Sequence, residues 1–170
     1  LLLAGGIGAV YMMQSPSAPA SPSNTSLVAF SAERADAVTA ATTITNRAEA
    51  ESHLASTWNR QIRVPEIEGA QLQGVGQVQA GSTEIPVLLY LNAGDSTRIA
   101  AFAYSYALVD RIEATATLDT QVREELARRN HLVADTEASQ TGLLWRDRDD
   151  IFVVVAPSIP ADSLRTRLRP

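Results

Sequence analysis

The stretch EIPVLLYLNAGDSTRIAAFAYSYALV, residues 84–109, decides the fold of this chain. Its first part, Ile85–Leu91, is almost continuously apolar and is rich in residues that favour β-strands. The polar segment Asn92–Asp95 follows, and a second run, Arg98–Val109, is again apolar and aromatic. Strand-forming runs that are separated by Asn, Gly and Asp are typical of antiparallel hairpins. We therefore predict that the two runs are adjacent antiparallel strands.

Further strands are predicted on both sides of this pair. Upstream, Gln71–Gln79 alternates in part between polar and apolar residues, and Ala80–Ser82 supplies a turn to the next strand. Downstream, three β-forming segments are predicted as strands: His131–Asp135, Gly142–Arg146 and Ile151–Ala156. The sheet is thus expected to be assembled from both halves of the chain.

Capping residues and helical periodicity predict helices between these strands. The predicted helices are Ala32–Val38 with Ser31 as its cap, a helix from Asn46 to Asn59 with a capping box completed by Glu49, Leu118–Asn130 with Asp119 as its cap, and Ala161–Arg169 after Pro160. Together the strands and helices predict an α+β domain over residues 27–170. We expect an antiparallel β-sheet with flanking helices on one side.

The chain opens on an uncharged apolar segment, Leu1–Met13. A bilayer-spanning helix needs about 20 apolar residues, and a shorter run also fits the apolar core of a secretory signal peptide. We expect residues 1–14 to be the end of a retained transmembrane helix and the Ser/Pro-rich residues 15–26 to be an extended linker. Small residues spaced by four allow membrane helices to pack closely; here they are Ala4, Gly5, Gly8 and Ala9.

Composition restricts the possible functions. The net charge of -5 and the pI of about 5.0 argue against a nucleic-acid partner. The absence of cysteine excludes disulfides, thiolate nucleophiles and cysteine-ligated metals from this sequence. All 14 basic residues are arginine, which indicates a bacterial origin, and no basic cluster follows the apolar segment. We therefore expect a protein of the bacterial inner membrane with its soluble domain in the periplasm.

Two motifs resemble ligand loops but are predicted to be structural. The acidic cluster Asp147–Asp150 lacks the glycine and the later glutamate of a calcium loop, so we predict a charged hairpin turn. Gly74 and Gly76 begin a dinucleotide-binding pattern, but its third glycine is replaced by Gln79 and a strand follows. We predict that these glycines mark a β-bulge or a close approach of the backbone.

No set of residues predicts a catalytic centre, a metal site or a cofactor. His53 and His131 are the only histidines, and neither has a second histidine at metal-binding spacing. No serine lies in a G-x-S-x-G turn. Trp58 and Trp145 could stack on a ligand, but core packing is the more common use of such aromatics. With Tyr90, they are our candidates for structural or interaction aromatics, and we predict a protein that is not an enzyme.

Three segments of the chain form a pattern that is known from a protein family. They are STWNRQIRVPEIEGAQLQGVGQV at 56–78, IPVLLYLN at 85–92 and LLWRDRDDIFVVVAPSIPADSLRTRL at 143–168. The residues that carry the pattern are Trp58, Val64–Ile67, Leu72 with Gly74 and Gly76, Leu89–Tyr90 and Trp145. This pattern resembles the extracytoplasmic part of transmembrane anti-sigma factors, and the resemblance extends over about two thirds of the chain.

The resemblance implies a single-pass membrane protein whose periplasmic domain senses or binds a signal and so regulates the release of a sigma factor. In that family the sigma-binding helices, often with a His-x-x-x-Cys-x-x-Cys zinc motif, would lie upstream of Leu1. The alternative is an accessory structural subunit of a bacterial membrane protein complex, docked by its N-terminal helix. The expected partners are therefore membrane lipid and either a sigma factor or a membrane complex.

Overall fold

The computed structural model describes residues 25–112, 116–128, 133–137, 140–157 and 159–169. The predicted membrane helix, with its small residues Ala4, Gly5, Gly8 and Ala9, lies outside the described residues, as does the linker up to residue 24. Among the helices of the described ranges, none is both long enough and apolar enough to cross a bilayer.

The described residues form an α+β domain, as the sequence predicts. Its helices are α1 Leu27–Ala35, α2 Arg47–Trp58, α3 Tyr106–Arg111, α4 Thr120–Arg128 and α5 Ala161–Arg167. Its strands are β1 Glu66–Ile67, β2 Ala70–Ala80, β3 Thr83–Asn92, β4 Arg98–Ser105, β5 Val133–Glu137, β6 Gln140–Asp147, β7 Asp150–Val155 and β8 Leu168–Arg169. Six strands form one antiparallel sheet in the order β2-β3-β4-β7-β6-β5, and β1 pairs separately with β8.

Helices cover both faces of the sheet, so the prediction of helices on one side is wrong. On one face, α1, α3 and α4 pack against a cluster that includes Phe102 and Tyr104 of β4. On the other face, α2 and α5 pack against a second cluster that includes Trp145 and Phe152. Strand β7 is buried at every position. Such continuous apolar strands, in contrast to alternating ones, require cover on both faces.

The central pair of strands is antiparallel as predicted, but the second strand is shorter. Val87 pairs with Phe102 and Leu91 with Arg98. The chain leaves the sheet after Ser105, whose hydroxyl accepts a hydrogen bond from the Leu108 amide at 3.1 Å and so caps α3. The prediction of a strand as far as Val109 is therefore wrong.

Helix α1 begins earlier than its predicted cap. Ser26 caps it by accepting a hydrogen bond from the Ala29 amide at 3.1 Å. Ser31 lies inside the helix and is fully buried, with its hydroxyl 2.7 Å from the carbonyl oxygen of Leu27 and 2.8 Å from the hydroxyl of Tyr104. The prediction of Ser31 as a cap is wrong, because its hydroxyl already has two buried partners.

Two other predicted caps are confirmed. The Asn46 side chain accepts hydrogen bonds from the Ala48 and Glu49 amides at 2.8 and 3.3 Å. The Asp119 carboxylate accepts one from the Gln121 amide at 2.8 Å and begins α4. Both side chains satisfy amides that a helix N-terminus leaves without partners.

The two glycines of β2 do mark a close approach of the backbone. The register of β2 against β3 shifts between Leu72 and Gly74. A Cβ atom on Gly74 would lie 2.4 Å from the Thr42 carbonyl oxygen, and one on Gly76 would lie 2.5 Å from that of Thr39. The segment 38–42 therefore lies directly against this edge strand and covers part of it.

Candidate functional site

Two clefts adjoin where the loop after α2 faces the turn between β6 and β7. The first, of about 260 Å³, is lined by Glu51, Ala55, Gln61, Ile62, Arg63 and Arg148. The second, of about 490 Å³, is lined by Arg60, Gln61, Ser105, Arg148, Asp149 and Asp150. Because Gln61 and Arg148 line both clefts, we treat them as one surface and call it the arginine groove.

The loop side of the groove is held by the end of α2. Asn59 adopts a left-handed conformation with φ 51°, which ends the helix and turns the chain. Ile62 is only 2% exposed and anchors the loop in the core. The Val64 amide donates a hydrogen bond to the Glu51 carboxylate at 3.0 Å, which ties the loop back to α2. The loop is thus fixed at three points.

The opposite side of the groove is a tight hairpin turn, as predicted for the acidic cluster. Asp147 pairs with Asp150, so Arg148 and Asp149 form the turn. The Arg146 Nε atom donates to the Arg148 carbonyl oxygen at 2.7 Å. The Tyr106 amide donates to the Asp149 carbonyl oxygen, also at 2.7 Å. One bond comes from β6 and the other from α3, and together they fix the position of the turn.

Ion pairs join the two sides of the groove. The Arg60 guanidinium is hydrogen-bonded to the Asp150 carboxylate, and these side chains are 23% and 11% exposed. Arg63 Nε is 3.9 Å from Asp147 Oδ2, which is a looser contact between more exposed groups. Burial raises the pKa of the Asp150 carboxyl group above its ordinary value, and the Arg60 guanidinium only partly opposes this effect.

Arg60→Met is expected to lower the free energy of unfolding by about 1–3 kcal/mol at neutral pH. The substitution leaves the Asp150 carboxylate, which is largely buried, without its counter-charge. Burial raises the folded-state pKa of Asp150 above its unfolded value, so ionisation of this group destabilises the fold as the pH rises through that raised pKa. Loss of Arg60 raises the folded-state pKa of Asp150 further. The deficit of the variant should therefore shrink as the pH falls through this folded-state pKa, and it should be smallest below the folded-state pKa of the parent.

Urea unfolding of both proteins from about pH 3 to about pH 8 measures this dependence. The matched control adds Asp150→Asn to the Arg60→Met variant, which removes the titrating group. Measured against the Asp150→Asn single variant, the deficit of this double variant should be independent of pH over the acidic range. A deficit of the single variant that stays constant with pH would contradict the role assigned to the pair.

Arg148 differs from the other residues of the groove in both its backbone conformation and its side chain. Its backbone is in the left-handed region, with φ 54°, and its side chain is exposed. Among the described residues, its guanidinium has no hydrogen-bond or ion-pair partner. Left-handed backbone raises the energy of a residue with a Cβ atom by about 1–2 kcal/mol relative to its usual conformation. The turn therefore holds a cation that is unpaired within the described ranges, at a position that glycine would occupy with less strain.

Arg148→Gly is expected to raise the free energy of unfolding by about 0.5–1 kcal/mol. Glycine relieves the left-handed strain, while the backbone bond from Arg146 is kept. Arg148→Ala is the matched control, because it removes the same side chain and keeps the strain. Thermal and urea unfolding should show a gain for glycine alone, and an equal gain for both variants would refute the strain argument.

The predicted aromatic residues lie outside the groove. Tyr90 and Trp145 are 3% and 2% exposed and belong to the core face beneath α2 and α5. The Tyr90 hydroxyl donates to the Pro65 carbonyl oxygen at 2.7 Å, and burial raises the pKa of Tyr90. Trp145 stacks on Phe152 with ring centroids 4.7 Å apart. These two side chains therefore pack in the core and are not available to a ligand or partner.

Trp58 has a different environment at the end of α2. It is partly buried and packs against the edge of the same core face. The ring of His53 meets it edge-on with centroids 6.1 Å apart. Its indole Nε1 is buried and has no hydrogen-bond partner among the described residues. The second histidine, His131, lies outside the described residues.

Sequence reasoning missed the three arginines of the groove, Arg60, Arg63 and Arg148. Their signal was present as alternating charge in the segments NRQIR and RDRDD. These segments are far apart in the chain, and they meet only because α2 and the β6–β7 turn lie at the same end of the domain. Comparison of the chain with models of protein families, with curated proteins and with solved structures finds no match.

Proposed function

We propose that this chain is the periplasmic part of a single-pass protein of the bacterial inner membrane, and that its domain senses or binds a protein without catalysing a reaction. The proposal combines the resemblance to anti-sigma factors with one observation, the Arg148 guanidinium at the arginine groove, which has no partner in the part of the chain that the structure describes. An exposed cation held by a rigid turn is suited to recognition because little order is lost when it binds.

The composition of the groove supports a protein partner over a small molecule. Arginine is enriched at protein interfaces, where its planar head group stacks and forms paired hydrogen bonds. The groove is open and carries arginines and aspartates side by side. Alternating charges on a shallow surface fix the register of a protein partner and exclude partners with the wrong charge pattern.

Photo-crosslinking in the native membrane tests this function. A photoreactive residue at Gln61, which lines both clefts, should capture a protein partner in the intact full-length protein. The same residue at Gln79, which lies outside the groove, is the control. Protease added to the periplasmic side should cleave the domain. Resistance to that protease, or equal capture from both positions, would overturn the proposal.

The identity of the captured partner separates the two forms of the proposal. Mass spectrometry of the membrane-bound full-length protein should detect a sigma factor held on the cytoplasmic side if the domain belongs to an anti-sigma factor. Recovery of a stoichiometric membrane complex without a sigma factor would instead assign the chain as an accessory structural subunit of that complex.

A further inference from the structure

We propose that the first cleft of the arginine groove binds a carboxylate group presented by the protein partner, with Arg63 and Arg148 as the groups that hold it. This inference rests on the proposed protein-binding function and names the chemistry that the partner must carry. The ligand is an acidic side chain next to an apolar residue in an exposed segment of that partner.

The charges that line the first cleft favour an anion. They are two cations, Arg63 and Arg148, and one anion, Glu51. The Glu51 carboxylate is already engaged, because its Oε1 atom accepts hydrogen bonds from the Val64 amide at 3.0 Å and from Arg47 Nε at 3.2 Å. Among the residues that line the cleft, one positive charge is therefore left over, and Asp147 offsets it only loosely at 3.9 Å from Arg63.

Both guanidinium groups have donors to spare. The contact from Arg63 to Asp147 is 3.9 Å, which is longer than a hydrogen bond, and the Arg63 side chain is 50% exposed. The Arg148 guanidinium has no partner among the described residues. A guanidinium group matches the two oxygens of a carboxylate in a forked, charge-assisted arrangement. Two such groups at one cleft can hold a carboxylate from two directions.

The strain at Arg148 is an independent observation that points the same way. Residues with a Cβ atom that are held in the left-handed region cluster at ligand-binding and other functional sites, and among the described residues Arg148 shares this conformation with Asn59 and Ser96. The turn itself would be satisfied by glycine. The structure therefore retains at this position a side chain that its fold does not require.

The floor of the cleft defines what lies beside the carboxylate. Ala55 is half-buried, and Ile62 is almost wholly buried. Ala55 therefore places apolar surface in the same cleft as the two guanidinium groups, with Ile62 packed beneath it. A partner segment that sets a leucine or a similar side chain next to its glutamate or aspartate would bury apolar area while the carboxylate is bound.

Peptide binding to the 170-residue chain tests the inference directly. The probes are two capped pentapeptides, acetyl-Ala-Leu-Glu-Leu-Ala-amide and the same peptide with glutamine in place of glutamate. In nuclear magnetic resonance titrations, the glutamate peptide should shift the Nε–Hε signals of Arg63 and Arg148. It should bind about tenfold more tightly than the glutamine peptide.

Variants show whether Arg63 and Arg148 are responsible for the preference for the glutamate peptide. Arg148→Gly and Arg63→Gln should each remove the preference for the glutamate peptide, although the first is expected to be at least as stable as the parent. Arg148→Lys should retain part of the preference, because it keeps the charge without the fork. Arg169→Gln, an exposed arginine outside the groove, should change nothing.

Equal affinity for the two peptides, or a preference that survives Arg148→Gly, would overturn the inference. These outcomes are separate from those of the proposed function. If crosslinking at Gln61 captures a partner while the peptides are not distinguished, only the carboxylate specificity is refuted. If the peptides are distinguished while no partner is captured, carboxylate binding stands and the proposed protein-binding function is refuted.

Discussion

Gly74→Ala is expected to lower the free energy of unfolding by about 2–4 kcal/mol. The added Cβ atom would lie 2.4 Å from the Thr42 carbonyl oxygen and 2.8 Å from the Ala40 Cβ atom. The nearer of these atoms belongs to the backbone, so rotation of a side chain cannot relieve the contact. Either β2 or the segment 38–42 has to move.

Movement of that segment breaks the pairing that covers the edge of the sheet. Val75 exchanges hydrogen bonds with Thr42 at 3.0 and 3.1 Å and also accepts one from the Ala41 amide at 3.0 Å. Loss of these bonds leaves backbone groups of an edge strand without partners and opens the edge to other chains. The variant should therefore aggregate more readily as well as unfold at lower urea concentration.

Gly94→Ala is the matched control for this substitution. A Cβ atom on Gly94 would meet nothing within 4 Å. The free energy of unfolding, measured in urea, should then change by less than about 0.5 kcal/mol. Similar losses for the two alanine variants would show that the close approach at Gly74 does not constrain the fold.

The elements that local sequence determines were predicted well. Asn46 and Asp119 cap helices through their own side chains, and those bonds involve only neighbouring residues. The two glycines in β2 were assigned to a bulge or a close approach, and the structure shows both. For the two caps the cause lies within a few residues of its effect. The glycines revealed that a close approach exists, but not that the segment 38–42 makes it.

The features that were not predicted depend on distant parts of the chain. The strand β4 ends where the Tyr106 amide bonds to the Asp149 carbonyl oxygen, which lies in the turn between β6 and β7. Ser31 failed as a cap because its hydroxyl is used by Tyr104 of β4. The arginine groove is likewise assembled from two separate segments, so neither segment alone indicates a site. The cover on both faces of the sheet was indicated by the continuous apolar runs, but was not inferred from them.

Trp145→Ala is expected to lower the free energy of unfolding by about 3–5 kcal/mol. Trp145 is 2% exposed and stacks on Phe152 at 4.7 Å in the middle of the core face beneath α2 and α5. Removal of the indole opens a large cavity between rigid strands and abolishes the ring contact. Urea unfolding followed by far-ultraviolet circular dichroism measures the loss.

Trp58→Phe is the contrasting substitution, and its effect should be small or even stabilising. It keeps an aromatic ring at the edge of the core and removes an indole N–H that is buried without a partner. The free energy of unfolding should change by less than about 0.5 kcal/mol in the destabilising direction. The variant also leaves Trp145 as the sole tryptophan, so its fluorescence should be that of an indole shielded from water. Emission typical of exposed indole, or equal losses of stability for the two variants, would contradict a core role for Trp145 and restore it as a candidate for contact with a partner.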